Sequence, residues 1–176
     1  MKSWIIRCLL LATCWGAWGD PLSLINTLPT RPVLMFEISG LTQTRTVAPG
    51  NRISLEAGLF SGLGQKKVPL TGGTIYYLAR FGALEGLYRL AADQVLILNQ
   101  SGRPVVVVLD GNAQAEGNLA TGALALGALG EEGLSVRWEG SPGQELSQQV
   151  SGGKVYRLVL DSPEGIGTVV SLIPWD

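Results

Sequence analysis

The sequence predicts an all-β protein: two tandem small antiparallel β-sandwich domains that follow a cleaved signal peptide. Three observations lead to this fold class. Short runs of β-branched and aromatic residues recur about every ten residues, as they do in antiparallel sandwiches. Glycine, proline and asparagine separate these runs, and helical periodicity is largely missing from Pro32 onward. A pattern of strands and turns in the first half also returns in the second half.

Residues 1–19 have the composition of a secretory signal peptide. A basic start leads into an apolar stretch from Cys8 to Trp15, and small residues follow up to Gly19. We therefore expect cleavage after Gly19 and a periplasmic mature protein. A lipid anchor on Cys14 is the alternative, although threonine just before that cysteine fits a lipoprotein signal poorly. About 20 apolar residues are needed to cross a bilayer, and no segment after Gly19 is long and apolar enough. We therefore expect no transmembrane segment in the mature chain.

Composition excludes several classes of function. The chain has no histidine, and processing would remove both cysteines, Cys8 and Cys14. Histidine is the usual general base near neutral pH and the commonest metal ligand, so we expect a protein that is not an enzyme and has no metal or cofactor. Processing would leave 11 of the 13 basic residues against 14 acidic ones, a net charge of about −3. This balance argues against a nucleic-acid partner.

The predicted strands divide the chain into two halves. We predict an N-terminal linker over residues 20–32, a first sandwich over 33–90 and a second over 93–173, with one larger sandwich as the alternative. The predicted strands of the first half are 33–38, 45–47, 52–55, 67–70 and 74–80. Those of the second half are 95–99, 105–109, 134–139, 145–150, 154–160 and 168–173.

Two pairs of segments predict that the second half repeats the first. Val33–Gly40 is similar to Val95–Gly102, and Gly72–Leu78 is similar to Gly152–Leu158. In each copy a strand ends in a Ser-Gly turn, and a Gly-Gly turn opens a later aromatic strand. The segment Gly111–Gly133 has no such counterpart. Its glycine content predicts a flexible connection with one weak strand, and a short helix is the alternative.

Few side chains point to a binding role. Arg80, Arg89 and Arg103 could bind an anionic polysaccharide, because arginine matches a carboxylate with two parallel hydrogen bonds. Scattered surface arginines are the alternative interpretation. Arg103 lies in the turn 101–104, which we expect to be a docking surface. Charge reversal at Arg103 should then weaken the binding of a partner to this turn. Trp175 could mark a second docking surface or belong to a disordered terminus.

Other conspicuous residues have structural explanations. Alternation puts Tyr76 and Tyr77 on opposite faces of one strand, so at least one should be buried. Trp138 alternates with Arg137 and should lie in the core. The adjacent carboxylates Glu131 and Glu132 are interpreted as solvated loop charges.

Three segments resemble the AlgF family of periplasmic alginate biosynthesis proteins. They are Leu55–Ser61, Gly64–Leu70 and Ile75–Leu78, which are similar to the family's Gly-x-Tyr-Ser turn, its Val-Pro strand and its Tyr-Tyr strand in the same order, with Phe60 at the place of the turn's tyrosine. The second half is also similar, and the resemblance covers most of Val33–Leu160. The segment Gly111–Gly133 departs from the family's pattern.

The resemblance implies a two-domain β-sandwich that serves as an accessory part of the machinery adding acetyl groups to an exported polysaccharide. Its partners would be the periplasmic and membrane components of that acetylation complex, which perform the chemistry. An alginate-like polymer, cellulose and another exopolysaccharide all remain open as the acetylated polymer. The alternative function is a stand-alone carbohydrate-binding or adhesin-like sandwich, which requires coplanar exposed aromatic side chains. A hydrolase or lyase that uses carboxylates alone is a third, weaker interpretation.

Overall fold

The computed structural model describes residues 20–110, 112–113, 117–130, 133–162 and 169–176. Every regular element within these ranges is a strand, so the predicted all-β class is confirmed. The first half forms β1 (Leu22–Asn26), β2 (Val33–Ile38), β3 (Leu41–Thr46), β4 (Arg52–Leu55), β5 (Gly58–Gly62), β6 (Gln65–Leu70), β7 (Ile75–Phe81) and β8 (Leu84–Arg89). The second half forms β9 (Gln94–Asn99), β10 (Val105–Asp110), β11 (Asn112–Ala113), β12 (Gly117–Leu119), β13 (Leu124–Ala128), β14 (Leu134–Ser141), β15 (Gln144–Val150), β16 (Lys154–Asp161) and β17 (Val169–Pro174). Within the described ranges, nothing is both helical and long enough to pass through a bilayer.

Each half forms its own pair of sheets. The strand orders are β4-β1-β7-β8 and β3-β2-β5-β6 in the first half, and β11-β13-β9-β16-β17 and β12-β10-β14-β15 in the second. No described sheet combines strands from both halves, which agrees with two tandem sandwiches rather than one. We call β1–β8 the first sandwich and β9–β17 the second.

The sheets are antiparallel except at one place in each sandwich. Strand β1 runs parallel to β7, and β9 runs parallel to β16. A parallel pair cannot be closed by a hairpin and needs a long crossover. In each sandwich the chain between the parallel strands passes through all four strands of the opposite sheet and also through β4 or through β11 and β13 of the same sheet, so the two sheets are interlocked along the chain.

Each sandwich encloses its own apolar core. In the first core the rings of Phe36 and Phe60 lie 5.7 Å apart between centroids, and both side chains are buried. In the second core Trp138 is 5% exposed, which confirms its predicted burial. Its indole Nε1 donates a 2.7 Å hydrogen bond to the backbone oxygen of Val170, which lies on the opposite sheet. This bond satisfies the one polar atom that the ring brings into the core.

The prediction of an N-terminal linker over residues 20–32 is wrong where these residues form β1. Leu22, Leu24 and Ile25 are all 0% exposed, and β1 lies between β4 and β7 inside its sheet. A strand covered on both faces does not alternate between apolar and polar residues. The run Leu22–Asn26 therefore lacks the alternation by which the half-buried strands were recognised.

The structure also changes the register of the internal repeat. The match of Gly72–Leu78 with Gly152–Leu158 agrees with the fold, because these segments open β7 and β16. The match of Val33–Gly40 with Val95–Gly102 is wrong, because β2 corresponds to β10 and β1 corresponds to β9. The true correspondence is fixed by one buried asparagine at the end of each first strand, Asn26 in β1 and Asn99 in β9.

The segment Gly111–Gly133 contributes more structure than the sequence predicts. Its described parts form β11, β12 and β13, and β13 pairs with β9 over five residues. A Cβ atom at Gly127 in β13 would lie 2.7 Å from Cδ2 of Leu134, so this glycine permits close packing onto the core. Neither a flexible connection nor a short helix describes these parts. Glu131 and Glu132 lie outside the described residues.

Candidate functional site

The two sandwiches pack against each other through the outer faces of sheet β4-β1-β7-β8 and sheet β11-β13-β9-β16-β17. A third apolar cluster, distinct from the two cores, joins Ile25, Tyr77, Ala79 and Leu90 of the first sandwich to Leu96, Leu126 and Val155 of the second. Strand alternation explains this division of residues. On β7, Tyr76 points into the first core while Tyr77 points into the cluster between the sandwiches, and both are buried.

Polar contacts extend this packing at one rim. Gln100 Nε2 of the second sandwich donates a 2.8 Å hydrogen bond to the backbone oxygen of Gly50 in the first. The Arg52 guanidinium of the first sandwich donates through Nη1 to the backbone oxygen of Trp175. Trp175 itself is tied to the second sandwich, since its backbone N–H donates to Val155 at 2.8 Å. The rim therefore places side chains from both sandwiches around one opening.

That opening is a cleft of about 760 Å³, which we call the interdomain cleft. Its polar lining includes Ser23, Asn51 and Arg52 from the first sandwich and Gln100 and Arg157 from the second. The half-buried Trp175 completes the lining on one side. A volume of this size falls within the roughly 300–1,000 Å³ typical of small-ligand sites.

Arg52 is held in place by the backbone and by a hydroxyl group. It lies on β4 opposite Ile25 of β1, which puts it on the outer face of the sheet. Its Nε and Nη2 atoms donate to Ser23 Oγ at 3.0 and 2.8 Å. Because the third nitrogen bonds to Trp175, one N–H on each terminal nitrogen remains available to a ligand.

Arg157 is held by stacking rather than by strong hydrogen bonds. Its guanidinium carbon lies 4.9 Å from the centroid of the Trp175 ring, within the range of a cation–π contact. Its Nη1 contacts Gln100 Oε1 at 3.5 Å, which is long for a hydrogen bond. Its Nε is shut off from solvent and has no acceptor among the described atoms. The guanidinium thus keeps most of its donor capacity unused.

Within the described part of the chain, neither cleft arginine forms an ion pair with a carboxylate. The ion pairs among the described residues join other side chains, and none includes Arg52 or Arg157. Asp176 also lines the cleft, but its side chain is 80% exposed and lies 3.8 Å from Lys154 Nζ. The cleft therefore has two positive charges and one outlying negative charge. Chemically, this arrangement is suited to binding an oxyanion.

Arg137 shows how the same side chain is treated elsewhere in the second sandwich. It lies on β14, where Nη2 is 3.1 Å from Asp110 Oδ1 and Nη1 is 3.5 Å from Glu145 Oε1. The hydrogen bond to Asp110 and the two nearby carboxylates raise the pKa of Arg137 above its usual value. Arg137 is thus a paired surface arginine, in contrast to Arg157.

The residues predicted to bind partners lie apart from one another. Arg103 Nη2 donates 2.7 Å to the backbone oxygen of Gly140, and Ser101 in the same turn is buried. Arg80 Nε donates to Glu85 Oε1 at 3.0 Å within the β7–β8 hairpin. Arg89 is exposed at the end of β8. Of these four residues only Trp175 lines the cleft, where it contacts Arg52 and Arg157. Binding by these residues stays a prediction.

The sequence analysis missed Arg52 and Arg157. One signal was present, because the match of Gly72–Leu78 with Gly152–Leu158 already aligns Tyr76-Tyr77-Leu78 with Tyr156-Arg157-Leu158. Arg157 thus occupies the position of a tyrosine that faces the other sandwich. No comparable signal marks Arg52, whose neighbours across the cleft come from the other half of the chain.

The fold and the cleft define a tandem β-sandwich protein with a polar cleft between its halves. This chain matches no protein-family model, and no curated protein shows significant similarity to it.

Proposed function

We propose that the protein is a non-catalytic periplasmic accessory protein of a complex that O-acetylates an exopolysaccharide, such as an alginate-like polymer or cellulose. Its role is to keep periplasmic and membrane components of that complex together. The observation that carries the proposal is the apolar cluster between the sandwiches, which joins them into one body. Two outer sheets and their edges are thereby presented in a fixed relation, as docking surfaces for more than one partner require.

The segments that resemble the AlgF family support this proposal through their placement. They fall on β5, β6 and β7, which are consecutive strands of the first sandwich. A Cβ atom at Gly58, in the turn-like segment of the resemblance, would lie 2.4 Å from the backbone oxygen of Glu37. Glycine at this place is a requirement of the strand pairing, which gives this residue of the resemblance a structural role in this chain.

The contacts of the first described residues are compatible with export and processing. The backbone oxygen of Asp20 accepts a 3.0 Å hydrogen bond from Gly73, and β1 begins two residues later at Leu22. Cleavage after Gly19 would leave these contacts intact. The periplasmic location belongs to the proposal, and mass spectrometry of the mature protein should find Asp20 as its first residue.

The alternative of a stand-alone carbohydrate-binding or adhesin-like module has less support. Such modules stack sugar rings on exposed aromatic side chains. In the described part of the chain every aromatic side chain is buried or half-buried. One face of Trp175 is covered by Arg157.

A gene deletion tests the proposed function. We expect the exported polymer of a deletion strain to contain fewer acetyl groups, and the wild-type gene to restore them. The purified protein should release no acetyl groups from the same acetylated polymer, because the acetylation chemistry belongs to its partners. Unchanged acetyl content in the deletion strain would overturn the role in acetylation. Turnover by the pure protein would overturn the non-catalytic role.

A further inference from the structure

We infer that the interdomain cleft is a binding site for the carboxylate of an acidic sugar. The first step is the charge of the cleft. Arg52 and Arg157 both contact Trp175, so two guanidinium groups share one rim while no carboxylate among the described residues pairs with either. Like charges at a half-buried rim repel each other, and a bound anion removes that repulsion.

The available donors set the geometry of the ligand. Arg52 has one free N–H on each terminal nitrogen, and Arg157 makes only a 3.5 Å contact with Gln100. A planar carboxylate can accept two parallel hydrogen bonds from one guanidinium. An anion that enters the cleft can therefore accept hydrogen bonds from these free N–H groups. The bonds that fix Arg52 to Ser23 stay intact.

The remaining lining favours a sugar as the carrier of the carboxylate. Asn51, Ser54 and Gln100 line the same cleft and offer amide and hydroxyl groups, which match the hydroxyl groups of a sugar ring. Phosphate can also accept hydrogen bonds from arginine, and the titration described below separates it from a carboxylate. The binding chemistry is independent of the proposed function; only the biological source of the sugar, an acidic exopolysaccharide, rests on it.

Calorimetric titration of the mature protein provides the test. The probes are a tetramer of a 1,4-linked uronic acid, a neutral tetramer of glucose, a short polyglutamate peptide and inorganic phosphate. We expect the uronic acid tetramer to bind and its affinity to fall with added salt, because the contact is between charges. The neutral tetramer should not bind measurably. Equal binding of the neutral sugar, or no binding of any probe, overturns the inference.

Variants locate the binding. Arg157→Gln should weaken binding of the uronic acid tetramer about tenfold or more, and Arg157→Lys should retain only part of the affinity, because lysine lacks the planar fork. Arg137→Gln is the matched control, since it removes a paired arginine from the other sheet of the same sandwich and should leave affinity unchanged. Urea unfolding verifies that each variant is folded, and Arg52→Gln serves as a second cleft variant should Arg157→Gln fail to fold.

The remaining outcomes also decide. Unchanged affinity in both cleft variants overturns the location of the site. Tighter binding of phosphate overturns the assignment to a carboxylate, and equally tight binding of polyglutamate overturns the assignment to a sugar. Normal acetylation in a deletion strain, combined with arginine-dependent binding of the uronic acid, would remove the proposed function and leave this site standing.

Discussion

The two sandwiches share one internal scaffold and differ at the surface where they meet. Asn26 and Asn99 make equivalent bonds: each side-chain amide donates to two backbone oxygens, and each Oδ1 accepts an N–H two residues later. Tyr76 and Tyr156 are equally matched, since each hydroxyl accepts the backbone N–H of the residue five positions earlier. The repeat is therefore preserved in buried polar contacts more clearly than in the identity of its apolar residues.

The differences lie one residue away from this scaffold. Next to Tyr76 stands Tyr77, which is 3% exposed beneath the second sandwich, while Arg157 stands next to Tyr156 and reaches the cleft. A strand that is buried on one face can change the residues of its other face at little cost to the core. The two sandwiches therefore agree in the polar contacts of their inner faces and differ on the outer face that borders the cleft.

Removal of the shared asparagine should have the largest effect. Asn26→Ala and Asn99→Ala should each lower the free energy of unfolding by about 3 kcal/mol, because buried carbonyl and N–H groups lose their partners. Urea unfolding followed by circular dichroism measures the loss. The control is Asn51→Ala, an exposed turn residue, which should change stability by less than about 0.5 kcal/mol. A large loss in only one sandwich would contradict the equivalence of the two residues.

A smaller effect is expected where the cores differ. Trp138 contributes a buried indole on β14, whereas the corresponding strand β5 contributes the ring of Phe60 to the first core. Trp138→Phe makes the buried ring smaller and removes the hydrogen bond to Val170. We expect the free energy of unfolding to fall by about 2 kcal/mol. A neutral outcome would show that the indole N–H adds nothing to the core.

The smallest effect concerns pH. Burial, and then the neighbouring Tyr88, raise the pKa of Tyr77 above its ordinary value of 10.0. Because the folded-state pKa of Tyr77 lies above the unfolded-state value, burying the neutral phenol stabilises the fold fully below pH 10.0. The stabilisation declines as pH rises through the folded-state pKa. In urea unfolding at alkaline pH, Tyr77→Phe should lose less stability than the unchanged protein. Equal losses in the two proteins would rule out Tyr77 as the titrating group.

The sequence was sufficient for those strands whose inner and outer faces differ. The strands around Leu134 and Lys154 were predicted to within two residues at each end because one face is apolar and the other polar. Strand β1 was missed because both of its faces are covered, and the one weak strand predicted within Gly111–Gly133 could not be located because glycine and alanine dominate β13. Strand β8 was not predicted because Gly86 interrupts its run of apolar residues. The place of β8 in the sheet depends on its pairing with β7.

The cleft could not be predicted in the same way. Periodicity within a strand indicates that Arg157 lies on the face opposite Tyr156, but not that another sandwich covers that face. Arg52 and Trp175 are far apart in the chain and meet only because the two sandwiches pack together. Sites built at an interface between halves depend on contacts that local patterns do not encode.

The parallel strand pairs also bear on how the chain folds. Ser23 pairs with Ile75, and Val95 pairs with Lys154. In each sandwich a central pair of strands is therefore formed by the beginning and the end of that half of the chain. Closing such long loops is slow, because most of the chain's freedom is lost before the pairing is gained. During synthesis β1 must wait for β7, and β9 must wait for β16. Since β1 and β9 fit equivalent gaps, the unfinished sandwiches can exchange these strands, and misassembly by strand swapping is the characteristic folding error of this architecture.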